Sequence, residues 1–454
     1  MNQMPNNLDA YWMPFTASRW FKDNPRIIAS ADGVHYTTME GHCLIDGTGG
    51  LWCCNAGHNR KPIVEAIQKQ AATLDFAHSF NQGHAIAFEA ANRLTEMTPG
   101  FDHVFFTNSG SEAVDTALKI ALAYHQARGE GQRRVLVGRQ KAYHGINFGG
   151  LSVGGIGLNK GQFGTLYPDA KHMRHTHLLD RNAFSRGQPE HGDFLADDLE
   201  EICQTYGGHT VAACIVEPVA GAGGVFPPPK GYLQRLRDIC DRHGILLIFD
   251  EVISGFGRLG TAFAYQKFGV KPDLMTAAKG ITNATVPLGG VFTTGAVREA
   301  FLSGPPTMPD LFHGYTYSGH PVSAAAAIAN LEIMEREGLV DRVGSHTQHV
   351  FAEKFAALGD HPLVGEAATF GLLGKLELVP DAASGSRRRF ENSGEVGGIC
   401  RDFCFRNNLV MRAVRDSMVC SPPLPIADDE IDLLVERAWA ALDQTAAAVA
   451  DKMA

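Results

Sequence analysis

The chain has 454 residues, 44% of them hydrophobic and 20% charged, with a net charge of −9. This is enough chain for one large domain plus smaller parts, and an acidic balance without long like-charge runs argues against a nucleic-acid partner, which needs a basic face. No apolar run approaches the ~20 residues that cross a bilayer, and Met1–Ala10 lacks the basic start and apolar core of a secretory signal, so no membrane partner and a cytoplasmic location are expected.

In chain order, short apolar runs bounded by Gly, Pro or polar residues predict strands at His103–Thr107, Arg134–Val137, Val211–Glu217, Ile245–Glu251 and Leu274–Ala277. Amphipathic stretches lie between them. After Ser111, the residues Val114, Ala117, Leu118, Ala121 and Leu122 fall on one helical face. Strand–helix alternation implies an α/β fold with a mostly parallel sheet covered on both sides. The last third reads differently. Leu372–Leu378 and Leu409–Arg412 look like strands of a smaller α+β domain, and Asp428 is placed to cap a helix striped with Ile431, Leu434, Val435, Ala438 and Leu442. The division expected is 1–70 as an N-terminal segment joining the small domain, 71–325 as the large domain and 326–454 as the small one, with the boundary near an Ala-rich helix at Ser323–Glu335. Ala382–Arg389 reads as a surface loop.

Three places carry chemistry. ILLIFDEVISGFGRLG (Ile245–Gly260) is an apolar strand ending in two acids, Asp250 and Glu251, and a carboxylate at the C-terminal end of a parallel strand sits where α/β proteins bind ligands. A solvated strand end or a helix cap is the plainer reading of either acid. DLMTAAKG (Asp273–Gly280) runs a short strand into Lys279, whose small apolar neighbours desolvate the amine and make it nucleophilic. A strand-end Asp followed by a strand-end Lys is the pair that pyridoxal phosphate (PLP) chemistry needs: the lysine forms the imine, and the acid keeps the pyridine nitrogen protonated. TNSGSE (Thr107–Glu112) joins a strand to a helix, where free N–H groups and the dipole favour a phosphate; the same residues make an N-cap box of Ser109 with Glu112.

TNSGSEAVDTALK, the YHG at Tyr143–Gly145, VEPVAGAGGV from Val216, IFDEVISGFGR, the AAKG ending at Gly280 and HGYTYSGHP at His313–Pro321 together resemble the class III (ω-amino acid) aminotransferases, in order and spacing over nearly the whole chain. The opening LDAYWMPFTASRWF, the GLW ending at Trp52 and NAFSRG at 182–187 resemble the β-alanine–pyruvate branch. The resemblance implies PLP fold type I, with a seven-stranded type of sheet. It makes Lys279 the Schiff-base lysine and proton shuttle and Asp250 the partner of the pyridinium nitrogen, with Val252 and Tyr143 on the two ring faces. Ser109, Gly110 and Ser111 would hold the phosphate, with Thr316 reaching it from the neighbouring subunit, and His144 and Glu217 would complete the cofactor site. Phe21, Trp52, Tyr143 and Arg412 would line the substrate pocket. Arg412 is the switchable arginine for an α-carboxylate, since one pocket must accept both a carboxylate and an apolar group; Arg415 is a second arginine nearby. The activity implied is transfer of an amino group from a β-alanine-like donor to pyruvate, in a homodimer or homotetramer with active sites at the subunit interface. A 4-aminobutyrate or diamine transaminase, or a PLP aminomutase, is the alternative within the family.

Other motifs point elsewhere. GFGRLG (Gly255–Gly260) fits a dinucleotide fingerprint, but it starts past the strand-end acids and puts Arg258 where backbone should approach a pyrophosphate. GLSVG (Gly150–Gly154) fits a hydrolase elbow, yet its flanks read as glycine-rich loop. His172, His175 and His177 read as a polar loop rather than a metal site, and nine scattered cysteines without a Cys-x-x-Cys pair predict reduced thiols and no zinc.

Overall fold

A computed structural model of the chain describes residues 7–164, 166–182, 185, 187–382 and 388–453. Part of the NAFSRG run and most of the loop expected at Ala382–Arg389 lie outside the described residues. Three sheets organise the chain. Near the N-terminus, β1 (Ile28–Asp32), β2 (His35–Thr38) and β3 (Cys43–Asp46) form an antiparallel meander. The central sheet contains β4 (His103–Thr107), β5 (Val135–Arg139), β6 (Ala170–Met173), β7 (Val211–Val216), β8 (Leu246–Asp250), β9 (Leu274–Ala277) and β10 (Gly289–Thr293), in the order β4-β10-β9-β8-β7-β5-β6. Its pairings are parallel except that β10 runs antiparallel to both neighbours. The third sheet is built from β11 (Val364–Phe370), β12 (Leu373–Leu378), β14 (Arg412–Val414) and β15 (Ser417–Cys420), while β13 (Leu409–Val410) pairs in parallel with β3.

The five expected strands of the central sheet are present within a residue or two. Strands β7, β8 and β9 are buried throughout, as their unbroken apolar runs require when helices cover both faces. The helix Gly110–Ala127 lays Val114, Ala117, Leu118 and Ala121 against β7, β8, β9 and β10 in one apolar cluster. Two strands of this central sheet escaped the sequence reading. Polar AKHM carries little strand signal at β6, and β10 opens with two glycines. Gly289 is needed there because a Cβ would lie 2.5 Å from the Ser109 carbonyl oxygen.

Four expectations are corrected. Leu409–Arg412 is not one strand: the chain leaves the first sheet after Val410 and enters the third at Arg412. Asp428 is the first residue of its helix, not its cap; the Ala427 N–H is satisfied by Glu430 Oε2 at 2.8 Å, and Asp428 instead adds negative charge to the first turn. The flanks of GLSVG are partly helical rather than loop, with helices at Phe148–Val153 and Gly157–Lys160, and Ser152 is 3% exposed, donating to the Phe148 carbonyl and accepting from Tyr167 N–H. Of the three histidines only His172 departs from the loop reading, since it sits in β6; His175 and His177 lie in the loop that follows, with the largely buried His177 side chain stacked 4.2 Å from Phe226.

His175 and His177 give the fold an acid sensitivity. Burial, reinforced by neighbouring cations, pushes both down to about 4. Burial opposes ionisation of Glu366, but His177 and Lys375 overcome it and hold that carboxyl at about 2. On acidification the unfolded chain takes up the histidine protons first, near its ordinary pKa of ~6.5, so stability falls from there to about pH 4; the Glu366 contribution, present above ~4.3, is lost next as pH falls towards 2. His177→Phe, which keeps the stack on Phe226, is expected to flatten the decline of melting temperature between pH 7 and 5. Parallel curves for variant and parent would contradict this.

Candidate active site

The C-terminal edge of the parallel strands carries the site. Val216 pairs with Phe249, so the next residues, Glu217 and Asp250, leave the sheet side by side, and Asp250 pairs with Thr276 on β9. Two residues past β9 stands Lys279. Its φ of +50° is a left-handed conformation that costs a side-chain-bearing residue roughly 1–2 kcal/mol. The strain is held by its surroundings: Asn330 Nδ2 donates to the carbonyls of Gly280 and Ile281, and Asn283 ties this turn to the backbone of Ala56 and Gly57. Lys279, Asp250, Glu217, Tyr143, His144, Val252 and Ser109–Ser111 line a single cavity of about 130 Å³, joined by Gly145 and Ile253.

The polar groups in this cavity are positioned by dedicated bonds. Asp250 is 5% exposed; its Oδ2 accepts from His144 Nδ1 at 2.8 Å, and its Oδ1 accepts from Thr276 Oγ1 and Val252 N at 3.2 Å each. The Nε2 of the fully buried His144 has no partner among the described residues. Glu217 accepts from the Tyr143 and Gly221 N–H groups at 2.9 Å each, which fixes the backbone that presents Tyr143. Burial raises the Glu217 carboxyl above its ordinary value. Burial lowers the Lys279 amine, with partial offset from Cys53, Asp250 and Glu217, which favours the neutral nucleophile. The neighbouring acid Glu251 takes the plainer role: fully buried, it accepts from Ala264 N–H, Tyr265 N–H and Ser254 Oγ, capping the helix Ala264–Phe268.

The TNSGSE turn brings a helix N-terminus to the same cavity. Ser109 Oγ caps the Glu112 N–H at 3.2 Å, while Glu112 reaches back to Asn108 N–H at 2.8 Å. Gly110 is tight against Val252 and Ala278, and a Cβ on Gly145 (φ +87°) would lie 2.5 Å from Ser111 Oγ, so backbone crowds the floor of the cradle. Above it, the Trp52 ring centroid lies 5.2 Å from Lys279 Nζ and 5.5 Å from Arg412 Cζ. Arg412 has no carboxylate within ion-pair distance among the described residues, its buried Nε is unpartnered, and burial lowers its pKa. Phe21, half-buried on the helix Ser18–Asp23, and the exposed Thr316 are not on the cavity wall of this chain. Arg415 is exposed at the β14–β15 turn.

The family description Aminotransferase class-III matches residues 16–442. The chain belongs to the class III aminotransferases. Among curated relatives, an omega-aminotransferase of Caulobacter vibrioides is 50% identical, over 95% of this chain and 96% of that protein. A beta-alanine–pyruvate aminotransferase of Pseudomonas aeruginosa is 41% identical, over 96% of each. The solved omega-transaminase of Pseudomonas jessenii in complex with PMP aligns with a TM-score of 0.91 at 34% identity, covering 97% of both chains. This class III aminotransferase is accordingly a PLP-dependent transaminase of the α/β fold type I. Its cavity fits the cofactor: an amine and a buried carboxylate face one space, and a helix start with two crowded glycines offers N–H groups to a phosphate.

Sequence reasoning missed Thr276, whose hydroxyl donates to Asp250, as well as Ile253 and Gly145 on the cavity wall. Ile253 and Gly145 lie inside motifs already singled out. Thr276 was open to detection as the polar member of the otherwise apolar LMTA. It also missed Cys53, which lies close enough to Lys279 to oppose the lowering of its pKa. Arg258, the odd residue of the GFGRLG run, is fully buried and bonded to Asn55 Oδ1 and the Pro422 carbonyl, a tie between distant chain segments.

Proposed function

We propose that this class III aminotransferase moves an amino group from β-alanine or a similar ω-amino acid or amine to pyruvate, releasing alanine and an aldehyde or ketone. The observation that carries the reading is the grouping of Lys279, Asp250, Trp52 and Arg412. A half-buried guanidinium without a carboxylate partner among the described residues is poised for a substrate carboxylate, which it can grip with two parallel hydrogen bonds. A single such arginine suits an acceptor with one carboxylate. The P. aeruginosa relative, named for β-alanine and pyruvate, supports the same pair.

PLP, when bound, supplies an aldehyde carbon and an electron-withdrawing ring. Lys279 Nζ would hold that carbon between turnovers and move a proton from the substrate carbon that bears the amino group. Asp250 would hold a proton on the pyridine nitrogen, with His144 and Thr276 fixing the carboxylate. Val252 and Tyr143 would enclose the ring, Glu217 would fix Tyr143, and Ser109, Gly110 and Ser111 would hold the phosphate. Trp52, Tyr143 and Phe21 would shape the substrate pocket. Thr316 would reach the phosphate of a partner subunit in a homodimer or homotetramer, and exposed Phe80, Phe88, Phe312 and Tyr317 suit burial there. The chain divides, on this reading, into segments 1–70, 71–325 and 326–454, with the helix Pro321–Arg336 carrying the last passage. Nine free cysteines suit the reducing cytoplasm.

The test is spectroscopic. The visible absorbance of holoenzyme is expected to bleach on adding β-alanine and to return with pyruvate but not with 2-oxoglutarate; recovery with 2-oxoglutarate alone would favour the 4-aminobutyrate type. Arg412→Leu is expected to raise KM for pyruvate about 10- to 100-fold, the weight of a hydrogen-bonded charge, while sparing the half-reaction of an amine without a carboxylate. Equal losses in both half-reactions would remove Arg412 from this role.

A further inference from the structure

Trp52 lies beside both the reactive amine and the carboxylate-binding guanidinium, yet its own indole N–H has no partner among the described residues. It shares an apolar cluster with Val219, Val225, Ile253 and Val419, and such contacts are non-directional. The backbone that carries it is unusual. Gly49, Gly50 and Trp52 all have positive φ, at +53°, +74° and +58°, a run that would not persist without external support.

That support converges on one buried carboxylate. Asp46, fully buried at the end of β3, accepts through Oδ1 from Thr48 N–H at 3.0 Å and Thr48 Oγ1 at 2.8 Å. Through Oδ2 it accepts from Gly50 N–H at 2.6 Å and His58 Nε2 at 2.7 Å. Burial works against the charge, but the bonds from His58, Thr48 and Gly50 outweigh it and hold the carboxyl below its ordinary range. Asp46 also pairs through its backbone with Val410, two residues before Arg412, so the same residue registers the strand that delivers the guanidinium.

We infer that Asp46 is a positioning residue for carboxylate substrates: by bonding the Thr48–Gly50 turn it sets the Trp52 ring against which Arg412 lies. This rests on the reading of Trp52 and Arg412 as substrate-pocket residues. Asp46 touches neither substrate nor cofactor. Asp46→Asn keeps the side-chain shape but turns an amide towards Gly50 N–H, replacing an acceptor by a donor.

The experiment measures KM and kcat for pyruvate on PLP-loaded Asp46→Asn, Trp52→Ala and the double variant, with amide hydrogen exchange on the parent and Asp46→Asn. Asp46→Asn is expected to raise KM for pyruvate about 10-fold, the effect of losing one bond to a charged group, with kcat changed much less. Exchange should quicken over Gly49–Cys53 and not in β7–β9. In the Trp52→Ala background the same substitution should add nothing, since both act on one structure. Should Asp46→Asn fail to fold, Thr48→Val removes only the Oγ1 bond and should give a smaller rise in KM, again abolished without Trp52. Equal multiplication of KM with and without Trp52, or an unchanged KM in Asp46→Asn, overturns the Asp46 role alone. A parent-like KM in Trp52→Ala overturns the pocket reading and this inference with it.

Discussion

Lys279→Ala is expected to lower turnover by at least ~10⁴-fold, because one substitution removes both the amine that holds the cofactor and the base that moves the substrate proton. The fold should tolerate it. Lysine and alanine carry the same Cβ at φ +50°, and the bonds from Asn330 and Asn283 that hold the turn involve backbone and asparagine atoms, not the Lys279 side chain. The thermal midpoint should therefore stay close to that of the parent while single-turnover rates collapse. Borohydride reduction of the parent holoenzyme should leave a covalent adduct on the peptide containing Lys279, and none in the variant. A small exogenous amine should restore part of the rate by standing in for the missing base. Retention of more than a few per cent of turnover would remove Lys279 from the centre of the assignment.

Asp250→Asn should lower kcat by about 10²–10³-fold, the range found when one preorganised electrostatic partner is lost. The replacement is nearly the same shape, and its carbonyl oxygen can still accept from Thr276 Oγ1 and Val252 N–H. Two things change. The carboxylate charge that would keep a proton on the pyridine nitrogen is gone, and an amide N–H₂ now faces His144 Nδ1, forcing that ring to accept instead of donate. Cofactor retention through gel filtration separates the two effects: loss of rate with cofactor retained points to the charge, loss of both to the disturbed His144 contact. An Asn variant as fast as the parent would show that no charge is needed.

Much of this site was open to reading from local sequence. The strand–acid and strand–lysine endings are short-range patterns, so Asp250 and Lys279 could be picked out before any fold was known, and the turn that opens the helix Gly110–Ala127 was visible as a cap. Where periodicity was weak, the reading failed. β6 is polar, β10 begins with two glycines of which the first is required by close approach to Ser109, and Gly149 and Gly150 mark packing against Asp115 and His144 rather than a loop. The break at Met411 had no local signal, since no Gly or Pro interrupts Leu409–Val414.

The sequence by itself determined the type of chemistry: a lysine at one strand end, a pair of acids at another, a helix-opening turn suited to a phosphate, and the alternation that makes the central sheet. These depend on neighbours in the chain, where residue type and spacing act directly. The tertiary structure decided which of two adjacent acids does what. Asp250 and Glu251 differ by one position, but alternation across the strand end turns Asp250 to the cavity and His144, and Glu251 to the helix start at Ala264. It also decided that Trp52 and Arg412, far apart in the chain, meet beside Lys279, and that Asp46 pairs with Val410, because contacts of that kind are set by how sheets stack and not by any local pattern.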